Sequence, residues 1–176
     1  MALKNSYPSV PVVPFKSVSI EMGAIINAIK NAPHPVEVKR AGYVVARNET
    51  LNGNKTVNGT NICGAQSDCG KWQDEYDSRI VATCIMNENL TGKQRGFIIF
   101  DTLDSGVHFL LDRIAAKGIF IGEHVDGKYH KGDVCTPEQL ADAYEDEWVY
   151  GEDHKTTVQE VKDFDSMYNQ SLKLFP

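Results

Sequence analysis

The sequence lacks any long apolar run, since its hydrophobic stretches are far shorter than the roughly 20 residues that cross a bilayer. It also lacks an excess of positive charge, because 18 Lys and Arg oppose 24 Asp and Glu for a net charge of −6. Phosphate backbones bind through basic patches, so nucleic acid is not expected to be the main ligand. The charge gives no electrostatic help toward an anionic polymer either, and binding one would need local contacts.

The N-terminal residues lack the architecture of a secretory signal peptide. We therefore expect synthesis in the cytoplasm, with any target outside it reached through a virion, an injection device or cell lysis. The glycines at 122, 127 and 132 lack the strand–loop–helix setting of a phosphate-binding loop. No cofactor and no membrane or nucleic-acid partner is expected.

The chain has four cysteines, Cys63, Cys69, Cys84 and Cys135. Their spacing matches no zinc signature. Cys63 and Cys69 could close a small loop, whereas cytoplasmic synthesis favours free thiols. His124, His130 and Cys135 share an irregular segment, but their loose spacing does not predict a metal site.

Composition indicates one globular domain, because 176 residues can bury a sizeable core and 41% of them are hydrophobic. Pro8, Pro11 and Pro14 alternate with valines, which predicts an extended arm at residues 1–17. Such an arm packs on its own domain or on a neighbouring subunit. The single domain is expected to span residues 18–176.

Periodicity within this domain predicts a mostly helical α+β fold. Two strands at 79–86 and 95–100 should form a β-hairpin. The helices are predicted from Ser19 to the prolines at 33 and 35, at about 36–49, from Asp101 or Thr102 to Gly118, from Thr136 to about Trp148, and at about 156–173. The acidic run at 145–147 is predicted to be a solvated helix face.

Glu49 ends the apolar stripe of the second helix. Val38, Ala41 and Val45 recur at helical spacing, and Glu49 lies on the same face, one turn beyond Val45. A carboxylate at the edge of a core loses solvation, and lost solvation raises its pKa. A raised pKa suits a general acid for glycosidic cleavage. The alternative is that Glu49 is an ordinary solvated residue at a helix end.

Four segments carry a family resemblance in their order along the chain. They are Asn48-Glu49-Thr50, the Asn- and Gly-containing stretch from Asn58 to Gln66, the predicted hairpin strand from Thr83 to Glu88, and the strand-to-helix segment from Phe97 to Ser105. The order resembles the glucosaminidase family of bacterial autolysins and flagellar hydrolases, within the lysozyme-like superfamily. The similarity covers about residues 22–116. It implies a lysozyme-like fold and cleavage of peptidoglycan glycan strands.

The resemblance implies two catalytic acids. Glu49 would protonate the leaving glycosidic oxygen. Glu88, or alternatively Asp68 or Asp74, would orient water or stabilise the positive charge that develops on the sugar. The alternative for Glu88 is a solvated turn residue.

The resemblance also implies a sugar-binding loop at residues 50–73. Asn61 and Gln66 would hydrogen-bond N-acetyl groups, because their amides both donate and accept. Trp72 and Tyr76 would offer apolar faces to sugar rings. The alternative for both aromatic residues is packing in the core or at its rim.

The chain departs from the family pattern at several positions. Thr50 stands where the family has serine, Gln66 stands where it has lysine, and residues 119–176 have no counterpart. These departures support an alternative from another class. The chain would then be an inactive lysozyme-fold virion or assembly protein that binds a partner through the arm at 1–17.

Overall fold

The computed structural model describes residues 10–67, 74–87, 92–123, 134–151 and 154–176. In chain order the elements are β1 (Ser17–Val18), α1 (Met22–Asn31), α2 (Val36–Glu49), β2 (Thr56–Val57), a 3₁₀ helix (Asp74–Arg79), β3 (Ile80–Asn87), β4 (Gln94–Phe100), α3 (Leu103–Lys117), α4 (Pro137–Tyr144), a π-helix (Glu145–Val149) and α5 (Val158–Leu174). The fold is mostly helical α+β with a small antiparallel hairpin, which confirms the predicted fold class.

The chain forms two compact units, and each is built from two stretches of sequence. The first unit contains residues 1–28 and 46–109, and the second contains residues 29–45 and 110–176. All three boundaries fall inside helices α1, α2 and α3. Boundaries inside helices have no linker-like composition, so the two units could not be predicted from the sequence.

The first unit is organised around the β3–β4 hairpin. Cys84 pairs with Phe97 and Ala82 pairs with Ile99, with a register irregularity between Ile80 and Ala82. Because side chains alternate across a strand, these four paired residues face one side and form a buried apolar cluster. The hairpin is therefore anchored through one face.

The described part of the arm belongs to the first unit. The amide of Val13 donates to the carbonyl of Thr83 at 2.8 Å, and the amide of Thr83 donates to the carbonyl of Pro11 at 3.0 Å. Further along, Asn58 donates its amide to the carbonyl of Lys16 at 2.9 Å. The arm thus covers the free edge of β3 and satisfies main-chain groups that an exposed edge would leave open.

Helix α3 fixes the loop that precedes the hairpin. A Cβ atom added at Gly106 would meet the carbonyl oxygen of Thr60, so only glycine permits this approach. The hydroxyl of Thr60 also accepts a hydrogen bond from the amide of Phe100 at 3.1 Å. The loop is therefore held from two sides around Thr60.

The second unit packs the first part of α2 against the last part of α3. A Cβ atom at Gly42 would meet the side chain of Leu111, which places the two helices in close contact. His34 and Asp112 add an ion pair at 2.7 Å. Val38 and Val45 are fully or almost fully buried.

Helices α4 and α5 complete the second unit. Tyr144 and Phe164 pack with ring centroids 5.3 Å apart. Thr136 caps α4 as predicted, because its hydroxyl accepts from the amide of Gln139 at 3.2 Å. The helical path beyond Tyr144 continues as the π-helix to Val149, close to the predicted end near Trp148.

Candidate functional site

Glu49 is the last residue of α2 and is half-buried. A rigid turn follows it. The hydroxyl of Thr50 donates to the carbonyl of Ala46 at 2.6 Å and accepts from the amide of Gly53 at 2.8 Å. Thr50 is 1% exposed, so this link is shielded from water. The turn holds the backbone that carries Glu49 in one position.

The same turn contains unusual backbone conformations. Leu51, Asn52 and Gly53 have φ values of 50°, 58° and 83°. The left-handed region is common for glycine and tolerated by asparagine, but it is unfavourable for leucine. Leu51 is also half-exposed at 52%, so burial of its side chain does not offset this strain. Strained backbone of this kind clusters at functional sites.

The carboxylate of Glu49 lies beside Gly64. The position that a Cβ atom would take at Gly64 is 3.5 Å from Oε2 of Glu49. Gly64 itself has a φ of 61°, which favours glycine. The loop therefore passes the carboxyl group at a residue that has no side chain.

Asn61 is 1% exposed and its amide is fully used within the protein. Its nitrogen donates to the carbonyls of Ala65 and Ile98 at 3.0 and 2.9 Å. Its oxygen accepts from the amides of Cys63 and Ala65 at 3.3 and 3.0 Å. The structure gives Asn61 the role of fixing the loop to β4 instead of the predicted role in binding sugar.

Tyr76 lies in the core of the first unit at 2% exposure. Its ring packs edge to face on Phe109, with centroids 5.1 Å apart and an interplanar angle of 82°. The guanidinium of Arg79 lies 5.6 Å from the ring centroid. The predicted sugar-facing surface of Tyr76 is thus covered, and the alternative of core packing describes this residue.

Gln66 lies at the other edge of the hairpin, half-buried, in an isolated bridge with Phe97. Main-chain bonds on both sides fix it: Ile98 donates to Ala65 at 3.0 Å, and Ser67 donates to Gly96 at 2.8 Å. This segment extends the sheet beyond β4. Gln66 is therefore held on an ordered backbone.

Several predicted residues lie outside the described parts of the chain, namely Trp72, Glu88, Asp68, Cys69, His124 and His130. Asp74, the remaining alternative for the second acid, is exposed at the start of the 3₁₀ helix. Among the cysteines that the structure describes, Cys63 and Cys84 are buried, and Cys135 is exposed.

One cluster of polar residues in the second unit was missed from the sequence. Glu145 was predicted to be solvated, but it is 4% exposed and lies near His154 and Glu160. The sequence contains a signal for the burial of Glu145, because this residue follows Ala141 by four positions and so lies on the same helical face. The Thr157-x-x-Glu160 spacing likewise marks a capping box.

In comparisons with known proteins, no family model, curated protein or solved structure matches the chain. Within the described residues, no helix combines the length and apolar character needed to cross a membrane.

Proposed function

We propose that the protein is a glycoside hydrolase that cleaves the glycan strands of peptidoglycan between N-acetylated sugars, with Glu49 as the general acid. One observation carries the proposal. The half-buried carboxylate of Glu49 lies at the end of α2 and borders Gly64, a residue with no side chain of its own. The strained turn at Leu51 and the family resemblance of residues 22–116 support it.

In this mechanism Glu49 gives its proton to the glycosidic oxygen as the bond breaks. A second carboxylate is needed on the other side of the sugar, and Glu88 or Asp74 would supply it. A separation of about 5–5.5 Å between the two carboxyl groups would give retention of configuration, and about 6.5–9.5 Å would give inversion. Gln66 and Trp72 remain the proposed contacts to the sugar, whereas Asn61 fixes its loop to β4 and Tyr76 packs on Phe109.

The setting is proposed from the same resemblance. Peptidoglycan lies outside the cytoplasm, so the enzyme would act in the cell wall or periplasm after delivery by a phage particle or a secretion device. The net charge of −6 gives no general attraction to anionic wall polymers. Binding would therefore depend on hydrogen bonds and stacking at the site itself.

The test is clearing of purified cell-wall suspensions by the wild type and by Glu49→Gln. The substitution keeps the side-chain volume but removes the transferable proton, so activity should fall by about 10²–10⁴-fold. Glu21→Gln is the matched control, because Glu21 is an exposed acid of the same unit. Mass analysis of released fragments identifies the bond cleaved. A Glu49→Gln protein with more than half of the wild-type activity would exclude Glu49 as the acid.

A second function, that of an inactive virion or assembly protein, is favoured by apolar side chains on the sheet side of the arm. Val12 is 64% exposed and bridges to Thr83, while Val81 and Ile85, two residues away on either side in β3, are 46% and 51% exposed. Such neighbouring apolar groups are typical of protein contacts. Wall cleavage by the purified protein would argue against this role.

A further inference from the structure

The second unit contains a buried carboxylate with an unsatisfied oxygen. Glu145 is 4% exposed, and among the described residues its Oε2 atom has no hydrogen-bond partner. Burying a charged or polar oxygen without a partner is unfavourable, so native proteins rarely retain one without a compensating group. The unpartnered oxygen of Glu145 therefore makes this residue a candidate ligand.

Two further groups converge on Glu145. Glu145, His154 and Glu160 each offer one ligand atom, and these three atoms lie within 4.8 Å of one another. The Nε2 atom of His154 also has no hydrogen-bond partner among the described residues, and it lies 3.8 Å from Oε2 of Glu160. That distance is too long for a hydrogen bond, so the cluster contains an unsatisfied nitrogen on His154 and an unsatisfied oxygen on Glu145.

We propose that Glu145, His154 and Glu160 bind one divalent transition-metal ion, such as Zn²⁺, and leave a coordination position open to water. Zinc binds nitrogen and oxygen ligands at about 2.0–2.2 Å in a tetrahedron, so two ligand atoms of one ion lie about 3.3–3.6 Å apart. The three ligand atoms, which lie within 4.8 Å of one another, would therefore move together by up to about 1.5 Å on binding. Three protein ligands and one open position match the arrangement of reactive zinc sites.

The ligand set selects the class of ion. An imidazole nitrogen suits first-row transition metals, whereas Ca²⁺ takes six to eight oxygens and Mg²⁺ keeps several waters in an octahedron. Two carboxylates neutralise the charge of a divalent ion. Burial raises the pKa of the Glu145 carboxyl, the nearby Glu160 carboxylate raises it further, and the His154 charge lowers it. A bound cation would stabilise the ionised form of Glu145.

Surrounding groups already orient the proposed ligands. The amide of Thr157 donates to Oε2 of Glu160 at 2.6 Å, within the capping box of α5. The ring of Tyr150 stacks on His154 with centroids 4.2 Å apart. The amide of Tyr150 also donates to the carbonyl of Glu145 at 2.9 Å and closes the π-helical turn. Such turns recur at functional sites, and supporting contacts of this kind tune metal affinity.

The experiment is titration of the full, chelator-treated chain with Zn²⁺, followed by calorimetry and thermal unfolding. We expect saturable binding of one ion and a rise in the unfolding temperature. At a free Zn²⁺ concentration of about 100 times Kd, the ratio of folded to unfolded protein should rise about 100-fold. Mg²⁺ and Ca²⁺ should bind at least about tenfold more weakly because the site has too few oxygens.

Variants assign the binding to these residues. Glu145→Gln and His154→Gln should each weaken Zn²⁺ binding by at least about tenfold, and His154 provides a test even where Glu145→Gln does not fold. Glu138→Gln is the matched control, because Glu138 is an exposed acid on α4. Co²⁺ spectra distinguish this site from the cysteines, since only thiolate ligands give a sulfur-to-metal charge-transfer band.

Three results would overturn the proposal. One is the absence of saturable Zn²⁺ binding to the wild type. Another is binding by Glu145→Gln and His154→Gln that equals the wild type. The last is a thiolate band in the Co²⁺ spectrum at one equivalent, which would place the ion at cysteine. None of these readouts depends on wall cleavage, so failure of the zinc-site proposal is distinguishable from failure of the proposed hydrolase activity.

Discussion

Oε2 of Glu49 and the backbone of Gly64 are so close that a methyl group on Gly64 would contact the carboxylate at 3.5 Å. The glycine is also held at a φ of 61°. This pair joins the end of a helix to a loop and defines what can approach the proposed acid. Two properties of Gly64, its missing side chain and its left-handed backbone, can be separated by mutation.

We expect Gly64→Ala to lower wall cleavage by more than it lowers stability. The left-handed backbone should cost about 1–2 kcal/mol in the free energy of unfolding. The added methyl group should also restrict access to Glu49 and reduce kcat by at least about tenfold. Gly151→Ala is the control, since its φ of 85° imposes similar strain and no atom of the described residues lies within 4 Å of its added Cβ. Equal losses of activity in both variants would contradict a role for Gly64 at the site.

Asn61→Ala should destabilise the protein, because it leaves the buried amide of Ala65 and the buried carbonyl of Ile98 without their side-chain partner. Each such group costs about 1–3 kcal/mol, so a total loss of about 2–6 kcal/mol is expected in urea unfolding. Asn54→Ala is the control, since Asn54 makes an exposed bond to Leu51. A stable Asn61→Ala protein with a raised KM would instead restore the sugar-binding role predicted from the sequence.

Deletion of residues 1–16 should lower the free energy of unfolding by about 3–5 kcal/mol, because it removes five hydrogen bonds worth about 1 kcal/mol each. These bonds link Pro11 and Val13 to Thr83, and Pro14 and Lys16 to Asn58. Deletion of residues 1–9 alone keeps all five and serves as the comparison. Chemical denaturation followed by circular dichroism measures the difference. Equal stability of the two truncated proteins would show that the bonds contribute nothing.

The exposed side chains of the arm allow a separate test of docking. Val12→Ser combined with Phe15→Ser keeps the main-chain bonds and should change stability little, because these side chains are 64% and 40% exposed. Under the assembly hypothesis the double variant should lose association, measured by sedimentation or by incorporation into particles. Undiminished association would remove the arm as the docking element.

Stability should fall at alkaline pH through Cys84. Burial raises the pKa of this thiol above its ordinary value of 9.0. The thiol stays protonated in the folded chain while the unfolded chain releases its proton. This thiol therefore leaves the free energy of unfolding unchanged below about pH 9. As pH rises from there toward the pKa of the folded protein, the free energy of unfolding decreases by up to about 1.4 kcal/mol per pH unit.

Unfolding midpoints of the wild type, Cys84→Ala and Cys135→Ala between pH 7 and 10.5 measure this effect. Cys84→Ala should flatten the decline above pH 9. Cys135→Ala, which removes an exposed thiol, should keep it. Thiol labelling of the folded protein should likewise modify Cys135 well before Cys84. A pH profile that is the same in all three proteins would exclude Cys84 as the cause.

Local signals predicted much of the secondary structure. The second helix was expected at about 36–49 and spans Val36–Glu49, because Pro35 sets its start and the left-handed turn sets its end. The last helix was placed correctly, but two apolar residues near its ends, Val158 and Leu172, are 73% and 41% exposed. Met167 and Ser171 are buried in α5 instead. Periodicity identifies a helix, whereas its contacts decide which neighbouring face is covered.

The site was harder to predict because residue type does not specify hydrogen-bond partners. Asn61 fits a ligand-binding loop and a loop-fixing role equally well in sequence, and only the positions of Ala65 and Ile98 decide between them. Tyr76 is similar, since Phe109 covers its ring. Glu145 was missed because an acidic run is ordinarily solvated, and its burial depends on α5, which is distant in sequence.

The second unit combines two distant stretches of the chain, residues 29–45 and 110–176, and this has a consequence for its biosynthesis. Arg40 donates to the carbonyl of Phe175 at 2.9 Å, and the ring of Tyr43 packs on the ring of Phe175 at 6.0 Å. Arg40 and Phe175 are 135 residues apart in the sequence, so the ribosome makes them at widely separated times. The face of α2 that carries Tyr43 therefore stays uncovered until translation reaches Phe175. During that interval the nascent chain presents a natural target for chaperones, and premature termination would leave the face permanently uncovered.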